Sequence, residues 1–262
     1  MTRVGVLGAG GRMGQAIIAA LAEAPGLKLG GAVERAGHAI VGTKLGAGLI
    51  VCSNPLALAH SCDVLIDFTT PEALAANLEA ACESKTPLVV GTTGLEAKHH
   101  KAIDAAARDV AILQTGNTSL GVNLLAALVE QAAAKLGDDW DIEIVEMHHR
   151  MKVDAPSGTA VLLGEAAAAG REVDLAQQRV AVRDGHTGAR VPGTIGFATL
   201  RGGTVVGDHK VVFAGAGERL ELAHVAEDRG LFAQGAVKAA LWSRGRAPGL
   251  YSMADVLGLD GL

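Results

Sequence analysis

Apolar residues recur in two alternating patterns along the first part of the chain. Short continuous apolar runs are typical of buried strands, and segments in which apolar residues return at helical spacing separate them. The predicted strands span residues 3–7, 27–33, 63–68, 87–90 and 110–113, and the predicted helices span residues 14–24, 72–82 and 95–108. Strands that alternate with helices pair in parallel through right-handed crossovers. We therefore predict an α/β fold with a Rossmann-like, doubly wound parallel sheet, interrupted at residues 37–60 by a variable connection with a short strand.

The pattern changes after Ser119. Helices are predicted over residues 121–136 and 158–169, and strands over residues 140–148, 194–200, 204–213 and 219–225. The glycine-rich junctions at 202–203 and 214–217 resemble hairpin turns, which favour antiparallel pairing. We therefore predict a second, α+β domain at residues 119–229 that carries a mostly antiparallel sheet. A helix predicted over 230–242 is expected to return to the first domain, which then comprises residues 1–118 and 230–262.

Composition and charge limit the functions to be considered. Hydrophobic residues make up 49% of the 262 residues, which allows a sizeable core, and the net charge of −5 disfavours nonspecific nucleic-acid binding. Cys52, Cys62 and Cys82 have no CxxC spacing, so we expect free thiols in a reducing cytoplasm. We expect no signal peptide and no membrane span, because no apolar stretch of about 18 residues lacks charge.

A glycine-rich turn follows the first predicted strand. It reads Gly8-Ala9-Gly10-Gly11-Arg12-Met13-Gly14, with Met13 where the standard dinucleotide fingerprint has its third glycine. The strand before it and the helix after it supply the tight turn and the close backbone approach that a pyrophosphate needs. Glu34 ends the second strand, where an acid can accept hydrogen bonds from ribose hydroxyls.

Arg35 leaves the choice of dinucleotide open. Its guanidinium can pair with a 2′-phosphate, whereas Glu34 favours NADH, so our hypothesis is that the chain uses NADH or NADPH. A surface ion pair of no functional consequence is the alternative. Two further turns, at 68–72 and 91–94, follow predicted strands and are placed to touch the cofactor, or else serve only as turns and helix caps through Thr70 and Thr93.

Two imidazoles and two cations are concentrated just before a predicted helix. His148, His149, Arg150 and Lys152 precede a Pro-Ser-Gly-Thr turn, where a helix N-terminus offers free N–H donors. This combination indicates a small anionic ligand, most simply a carboxylate, and a histidine or lysine can supply the proton that completes a hydride reduction. A metal site is less favoured, because no third ligand stands at a recognised spacing. A solvated cationic surface is the remaining alternative.

The motifs together are similar to the dihydrodipicolinate reductase family. They are GAGGRMG, VER, DFTTPE, GTTG and EMHHRMKVDAPSGTA, followed by the run from IGFATLRGG to KAALW, in the order expected along nearly the whole chain. The resemblance implies reduction of a cyclic unsaturated dicarboxylate to tetrahydrodipicolinate with NADH or NADPH, in the diaminopimelate and lysine pathway. It also implies a homotetramer assembled through the sheet of the second domain.

The resemblance assigns roles to particular residues. His148 and Lys152 match the catalytic proton donors, and His149, Gly158 and Thr159 match substrate-binding positions, to which we add Ser157 because its hydroxyl can hold a carboxylate. The cofactor positions are Gly8, Ala9, Gly10, Gly11, Arg12, Met13, Glu34, Arg35, Gly91, Thr92, Thr93, Thr115, Gly116, Asn117 and Thr118. No metal is implied.

Two departures and two alternatives stay open at this point. Thr118 stands where many family members have an aromatic residue near the nicotinamide, and Thr70 stands where some have arginine. Another small-substrate nicotinamide dehydrogenase would share the first domain, but it would not need the segment at 148–159. An NAD(H)-sensing binding protein would need a partner-binding module, such as a basic DNA-reading helix, which the sequence does not indicate.

Overall fold

The computed structural model describes residues 1–45 and 48–259. The chain divides into two compact units, one formed by Met1–Leu120 with Gly230–Gly258 and the other by Gly121–Arg229 with Leu259. The end of the predicted first domain, at 260–262, lies outside the described residues. Within the described part of the chain, no helix is long and apolar enough to cross a membrane.

The first unit is a parallel sheet covered by helices. Its first segment contributes, in chain order, β1 (Thr2–Leu7), α1 (Arg12–Glu23), β2 (Leu27–Val33), α2 (Pro55–Ser61), β3 (Val64–Asp67), α3 (Leu74–Ser84), β4 (Leu88–Val90), α4 (Ala97–Ala106) and β5 (Ala111–Gln114). The second unit, together with Leu120, contributes α5 (Leu120–Leu136), β6 (Asp141–His148), α6 (Gly158–Gly170), α7 (Leu175–Gln178), β7 (Arg179–Val180), β8 (Ile195–Arg201), β9 (Gly207–Ala214) and β10 (Arg219–Ala226). The returning segment adds α8 (Gly230–Ser243), β11 (Gly249–Tyr251) and α9 (Met253–Leu257) to the first unit.

The strand order of the first sheet is β11-β5-β4-β3-β1-β2, and all five neighbouring pairs are parallel. The carboxyl ends of these strands therefore share one edge. The order reverses direction between β1 and β3, which is where ligands bind in sheets of this kind. The predicted doubly wound parallel sheet is confirmed.

Both faces of this sheet are buried. Leu7 and Leu65 belong to a core cluster beneath α2, α3 and α4, whereas Val6 and Ile66 belong to a second cluster beneath α1 and α8. Neighbouring residues on a strand point to opposite faces, so a strand covered on both sides reads as a continuous apolar run. This is why the run pattern identified these strands correctly.

The second unit packs α5 and α6 against one face of a five-stranded sheet. The strand order is β10-β9-β6-β8-β7. Ile142 and Ile144 of β6 point into a core that includes Leu163 of α6 and Val129 of α5. The pairing is mixed and not mostly antiparallel as predicted, because β9 runs antiparallel to β6 and β10 while β8 runs parallel to β6 and β7.

The predicted hairpin at Gly202-Gly203 is wrong. β6 lies between β8 and β9, so the connection between these two strands has to pass the end of β6. The Gly202 N–H donates to the His148 carbonyl oxygen at 2.9 Å, and the His149 N–H donates to Val205 at 2.8 Å. The two glycines therefore belong to a connection that crosses the end of β6, and not to a tight turn. The predicted hairpin at 214–217 is confirmed, because β9 and β10 pair antiparallel.

Several short elements lie outside the predicted pattern. Residues 37–60 contain the helix α2, which the Asn54 side chain caps by accepting from the Ala57 N–H at 3.1 Å. Among the described residues of this segment, the predicted short strand is replaced by isolated bridges, such as that of Val33 with Cys52. The elements α7, β7, β11 and α9 were not predicted, because they are too short for a periodic pattern to develop.

Gly14 is required where α1 passes the glycine-rich turn. A Cβ at this position would overlap the Gly8 carbonyl oxygen and lie 2.8 Å from the Ala9 Cα, so the backbone of the turn would have to move. We expect Gly14→Ala to lower the free energy of unfolding by about 1–3 kcal/mol, the usual cost of overpacking, despite the helix preference of alanine. Urea titration measures this. Gly158→Ala is the control, because its Cβ would meet open space, and equal losses in the two variants would contradict the prediction.

Candidate active site

The glycine-rich turn is held against the end of β2. The N–H groups of Gly8 and Ala9 donate to the Val33 carbonyl oxygen at 3.0 and 3.1 Å, and Gly8 has a φ of +84° that favours glycine. The Glu34 carboxylate accepts from the Gly10 N–H at 2.8 Å and from the Arg35 N–H at 2.9 Å. The predicted acid therefore stands directly beside the predicted turn.

A pocket of about 540 Å³ opens at this place. It is lined by five of the predicted cofactor residues, namely Gly8, Gly10, Gly11, Glu34 and Arg35. It is also lined by Thr69 and Thr70 of the predicted turn at 68–72, and by His38, Ser53 and Asn77, which the sequence had not singled out. A Cβ on Gly10 would lie 2.6 Å from the His38 ring and 3.0 Å from the Glu34 carboxylate. The bare backbone at Gly10 therefore keeps the floor of the pocket open, which fits the close approach of a dinucleotide.

The other predicted cofactor residues lie in different surroundings. Arg12 is exposed, Ala9 is fully buried, and Met13 packs against the core beneath α1 and α8. Gly91, Thr92 and Thr93 follow the end of β4, and Thr115, Gly116, Asn117 and Thr118 follow the end of β5. Both groups thus stand at the same edge of the sheet as the glycine-rich turn.

Thr118 and Gly116 differ in how they are placed at that edge. The Thr118 side chain is buried and its hydroxyl donates to the Phe232 carbonyl oxygen of α8 at 2.7 Å. Gly116 is exposed, and a Cβ there would meet nothing within 4 Å. The backbone of this segment, rather than the Thr118 side chain, is what it offers to a ligand.

Asp67 at the end of β3 ties two of these turns together, and the sequence did not single it out. Its buried carboxylate accepts from the Thr69 hydroxyl at 2.6 Å, the Asn77 amide at 3.0 Å and the Thr92 hydroxyl at 3.2 Å. Burial raises the pKa of Asp67, although these hydrogen bonds oppose the rise. The signal was present in the sequence, since an aspartate directly after an apolar strand lies at the ligand edge of a parallel sheet.

In the second unit, β6 ends at His148 and places two polar side chains on its buried face. Glu146 and His148 are two residues apart and therefore point the same way. The His148 Nδ1 lies 2.6 Å from the Glu146 carboxylate. Arg201 of β8 donates to both oxygens of the same carboxylate at 2.8 and 2.9 Å, and the Ser157 N–H donates at 3.0 Å. Burial alone would raise the pKa of Glu146, but the hydrogen bonds from Arg201, His148 and Ser157 outweigh it and lower that pKa.

His209 of β9 completes this cluster. Its ring lies edge-on to the ring of His148, with centroids 5.0 Å apart, and its Nε2 is 2.9 Å from the Ser157 hydroxyl. The Ser157 oxygen already accepts from the Ala160 N–H as the cap of α6, so its proton is available for His209. Burial, and then the neighbouring His148, lowers the pKa of His209 to about 4. This histidine is therefore neutral near pH 7.

His149 lies beyond the strand, in a different environment from His148. It lines an open pocket of about 460 Å³ together with Arg150, Met151, Gly203, Thr204, Val206 and Arg229. The Arg229 guanidinium is 3.0 Å from the His149 Nε2. A guanidinium can only donate, so the ring accepts at Nε2 and a neutral ring carries its proton at Nδ1. Burial and the charge of Arg229 lower the pKa of His149. The strand therefore ends before His149, which is the condition under which both histidines can serve one site.

Lys152 and the start of α6 supply the other predicted groups. The Lys152 ammonium is 2.9 Å from the exposed Asp154 carboxylate, and its hydrogen bond lowers the pKa of Asp154. Gly158 is exposed in the first turn of α6, next to the half-buried Thr159. Among residues 1–45 and 48–259, no group of three or more His, Cys, Asp and Glu side chains is arranged to hold a metal ion.

Four residues of this site were missed or passed over at the level of sequence. Glu146 appeared only within the motif EMHHRMKVDAPSGTA, and Arg201, His209 and Arg229 were given no role. Each comes from a separate strand or from the segment before α8, so no local spacing links them. A histidine in the otherwise apolar buried face of β9 was the one available signal, because a buried histidine needs a partner.

Family models match nearly the whole chain. The model for the N-terminus of dihydrodipicolinate reductase matches residues 2–118, and the model for its C-terminus matches residues 121–257. The chain belongs to the dihydrodipicolinate reductase family. The resemblance predicted from its motifs is thereby confirmed.

Individual family members match over almost their full length. The 4-hydroxy-tetrahydrodipicolinate reductase of Methylocella silvestris is 57% identical, over 98% of this chain and 97% of its own length. The 4-hydroxy-tetrahydrodipicolinate reductase 1 of Mesorhizobium japonicum is also 57% identical, over 97% of this chain and 96% of its own. The solved structure of dipicolinate-bound dihydrodipicolinate reductase from Paenisporosarcina sp. TG-14 superposes with a TM-score of 0.80 at 22% identity, covering 97% of this chain and 98% of that one. This last likeness shows the shared fold.

His209 makes the stability of this family member depend on pH. Its folded pKa of about 4 lies below the ordinary value of 6.5, so the unfolded chain takes up the proton first. The contribution of His209 to the free energy of unfolding is therefore fully present above about pH 6.5 and is lost as the pH falls toward 4. At about 1.4 kcal/mol per pH unit, the loss from His209 between pH 6.5 and 5 is about 2 kcal/mol.

Urea titrations at the two pH values test this. We expect the wild-type free energy of unfolding to fall by about 2 kcal/mol more than that of His209→Gln, which can still accept from Ser157. His186→Gln removes an exposed histidine and should keep the wild-type pH dependence. The assignment fails if His209→Gln loses as much stability as the wild type.

Proposed function

We propose that the chain reduces 4-hydroxy-tetrahydrodipicolinate, or the dihydrodipicolinate derived from it, to tetrahydrodipicolinate with NADH or NADPH, in diaminopimelate and lysine biosynthesis. The observation that carries the proposal is the arrangement at the end of β6. There an imidazole held by a buried carboxylate adjoins the His149–Arg229 pair, in a chain that matches this reductase family from end to end.

The first unit supports binding of the dinucleotide. The bare backbone of Gly8, Gly10 and Gly11 leaves open space at the start of α1, and a helix N-terminus is where a pyrophosphate binds. Glu34 is fixed at the rim of the same pocket as an acceptor for ribose hydroxyls, and the exposed Arg35 can pair with a 2′-phosphate. Thr70 lines this pocket without adding a cation. These features favour use of both NADH and NADPH.

The second unit supports binding of a dicarboxylate. Arg229 and the Nδ1–H of His149 present donors in the pocket beyond β6, and Gly158 and Thr159 stand in the first turn of α6, at a helix N-terminus. A guanidinium pairs well with a carboxylate, and a helix N-terminus favours negative charge. Two such places match the two carboxylates of the proposed substrate.

Loss of water from the 4-hydroxy compound gives dihydrodipicolinate, and reduction then adds one hydride and one proton across a double bond of that compound. The reduced nicotinamide supplies the hydride when it is bound. The chain supplies the proton, from His148 at Nε2 or from the Lys152 ammonium, to the position where hydride addition leaves negative charge. Positive charge from Arg229 and Lys152 also stabilises that negative charge.

Substitution of Lys152 tests its role as a proton donor. We expect Lys152→Ala to lower kcat by about 10²-fold or more, the usual contribution of general acid catalysis, while the Kd for NADH stays unchanged. The assay couples the synthase that forms the labile substrate to the loss of nicotinamide absorbance, with NADH and NADPH tried in turn.

Lys98→Ala is the matched control, because Lys98 also pairs with a carboxylate, that of Glu96 at 3.0 Å, but lies on α4. It should keep wild-type turnover. Retained turnover in Lys152→Ala would overturn the role of Lys152. Tight NADH binding by the wild type without turnover of the dicarboxylate would favour an NAD(H)-sensing protein instead.

We also propose a homotetramer that assembles through the sheet of the second unit. The face of this sheet opposite to its core carries apolar side chains, among them Val145, Met147, Leu200, Val212 and Val225. Leu200 and Val225 are 50% and 62% exposed in the single chain, and apolar faces of this extent are typical of interfaces. The free thiols of Cys52, Cys62 and Cys82 fit a cytoplasmic location.

Light scattering coupled to gel filtration measures the oligomeric state. We expect four times the mass of one chain for the wild type and a smaller species for Val225→Asp, because a buried unpaired carboxylate opposes association. Ile50→Asp changes a comparably exposed residue of the first unit and should leave the tetramer intact. A monomeric wild type would contradict the proposal.

A further inference from the structure

We propose that Glu146 is a positioning residue that fixes the tautomer and the orientation of the His148 ring. The inference rests on the proposed role of His148 as a proton donor, and it adds the group that makes this role possible. Four contacts hold the Glu146 carboxylate in place, and a fifth joins it to His148.

Every well-formed contact of Glu146 other than that with His148 comes from an obligatory donor. The two guanidinium nitrogens of Arg201 and the backbone N–H of Ser157 can only donate, and together they engage both carboxylate oxygens at 2.8 to 3.0 Å. The Thr199 hydroxyl lies within 3.3 Å of one of them. The carboxylate is therefore held as an acceptor, and its side chain is only 1% exposed.

This arrangement determines where His148 carries its proton. An ionised carboxylate accepts, so the Nδ1 that lies 2.6 Å away has to donate to it. The same bond forms whether the ring is neutral or doubly protonated. The Nε2 is consequently the only ring nitrogen that can exchange a proton with a substrate.

Packing fixes the ring in the direction set by the carboxylate. The ring of His209 lies edge-on to that of His148 at an interplanar angle of 74°. A Cβ at Gly207 would lie 3.0 Å from the His148 Nε2, so the bare backbone of β9 leaves room for the ring. His209 is in turn held by Ser157, which also starts α6.

A purely structural role for Glu146 is the competing explanation. The carboxylate joins Ser157 at the start of α6 to Arg201 of β8, and this link alone could account for its burial. The two explanations differ at the His148 ring, because an anchor for α6 would leave the tautomer of His148 and the kcat unaffected.

Glu146→Gln in the full-length protein separates them. We expect kcat to fall by about 10²-fold or more, as for other histidine general catalysts that lose an orienting carboxylate, while the KM for NADH changes by less than about twofold. The matched control is Glu143→Gln. Glu143 is on the same strand and also accepts hydrogen bonds from two arginines, but these are Arg183 and Arg190 at the other end of the strand from His148.

Nitrogen-15 spectra of histidine-labelled protein give a readout that does not need turnover. The His148 signals are assigned by their loss in His148→Gln, and we expect the wild-type ring to carry its proton at Nδ1. Glu146→Gln should change that pattern, and Glu143→Gln should not. A wild-type neutral ring protonated at Nε2, or wild-type kcat in Glu146→Gln, would overturn the inference. If Glu146→Gln does not fold, the wild-type spectrum alone decides the tautomer.

The same experiment separates failure of the inference from failure of the proposed function. Wild-type protein with the Nδ1 proton in place but without turnover of the dicarboxylate would overturn the function, and the positioning of His148 by Glu146 would remain supported. Wild-type protein that turns over the substrate with His148 protonated at Nε2 would keep the function and overturn the inference.

Discussion

The negative charge of Glu146 joins three separate stretches of the second unit. A buried carboxylate costs several kcal/mol in desolvation unless donors replace its water. Here Arg201, Ser157 and His148 replace it, so β8, the start of α6 and the end of β6 are held in one arrangement by the same two oxygens. The histidine at the end of the strand thereby acquires a fixed direction, and the helix start beside it acquires a fixed position.

The first unit also contains a buried carboxylate, that of Asp67, which joins two turns, but its glycine-rich turn depends mainly on the backbone. Its cofactor turn is positioned by close packing at Gly14, by the donation of Gly8 and Ala9 to β2, and by a left-handed backbone at Gly8. Side chains at Gly10 and Gly14 would occupy space that the turn and its pocket require. Both units thus pair buried polar groups near their sites, and the first unit in addition lacks side chains where the turn and its pocket need space.

Much of this could be predicted from the sequence, because the signals were local. Continuous apolar runs identified the buried parallel strands, and the glycine-rich turn with Glu34 at the next strand end identified the dinucleotide pocket. The position of β8 beside β6 could not be predicted, since a glycine pair reads the same in a hairpin and in a crossing. Likewise Arg201, His209 and Arg229 join the histidine site only through the order of strands in the sheet, which no spacing along the chain records.

The central place of β6 in its sheet has a consequence for how the two proposed proton donors behave. This strand is hydrogen-bonded on both sides, to β8 and to β9, so its amides belong to the most slowly exchanging part of such a unit. His148 ends that strand, whereas Lys152 stands in the turn that leads away from it, beside an exposed carboxylate. His148 is therefore attached to the central strand of the sheet, whereas Lys152 belongs to a segment that can adapt when a ligand binds.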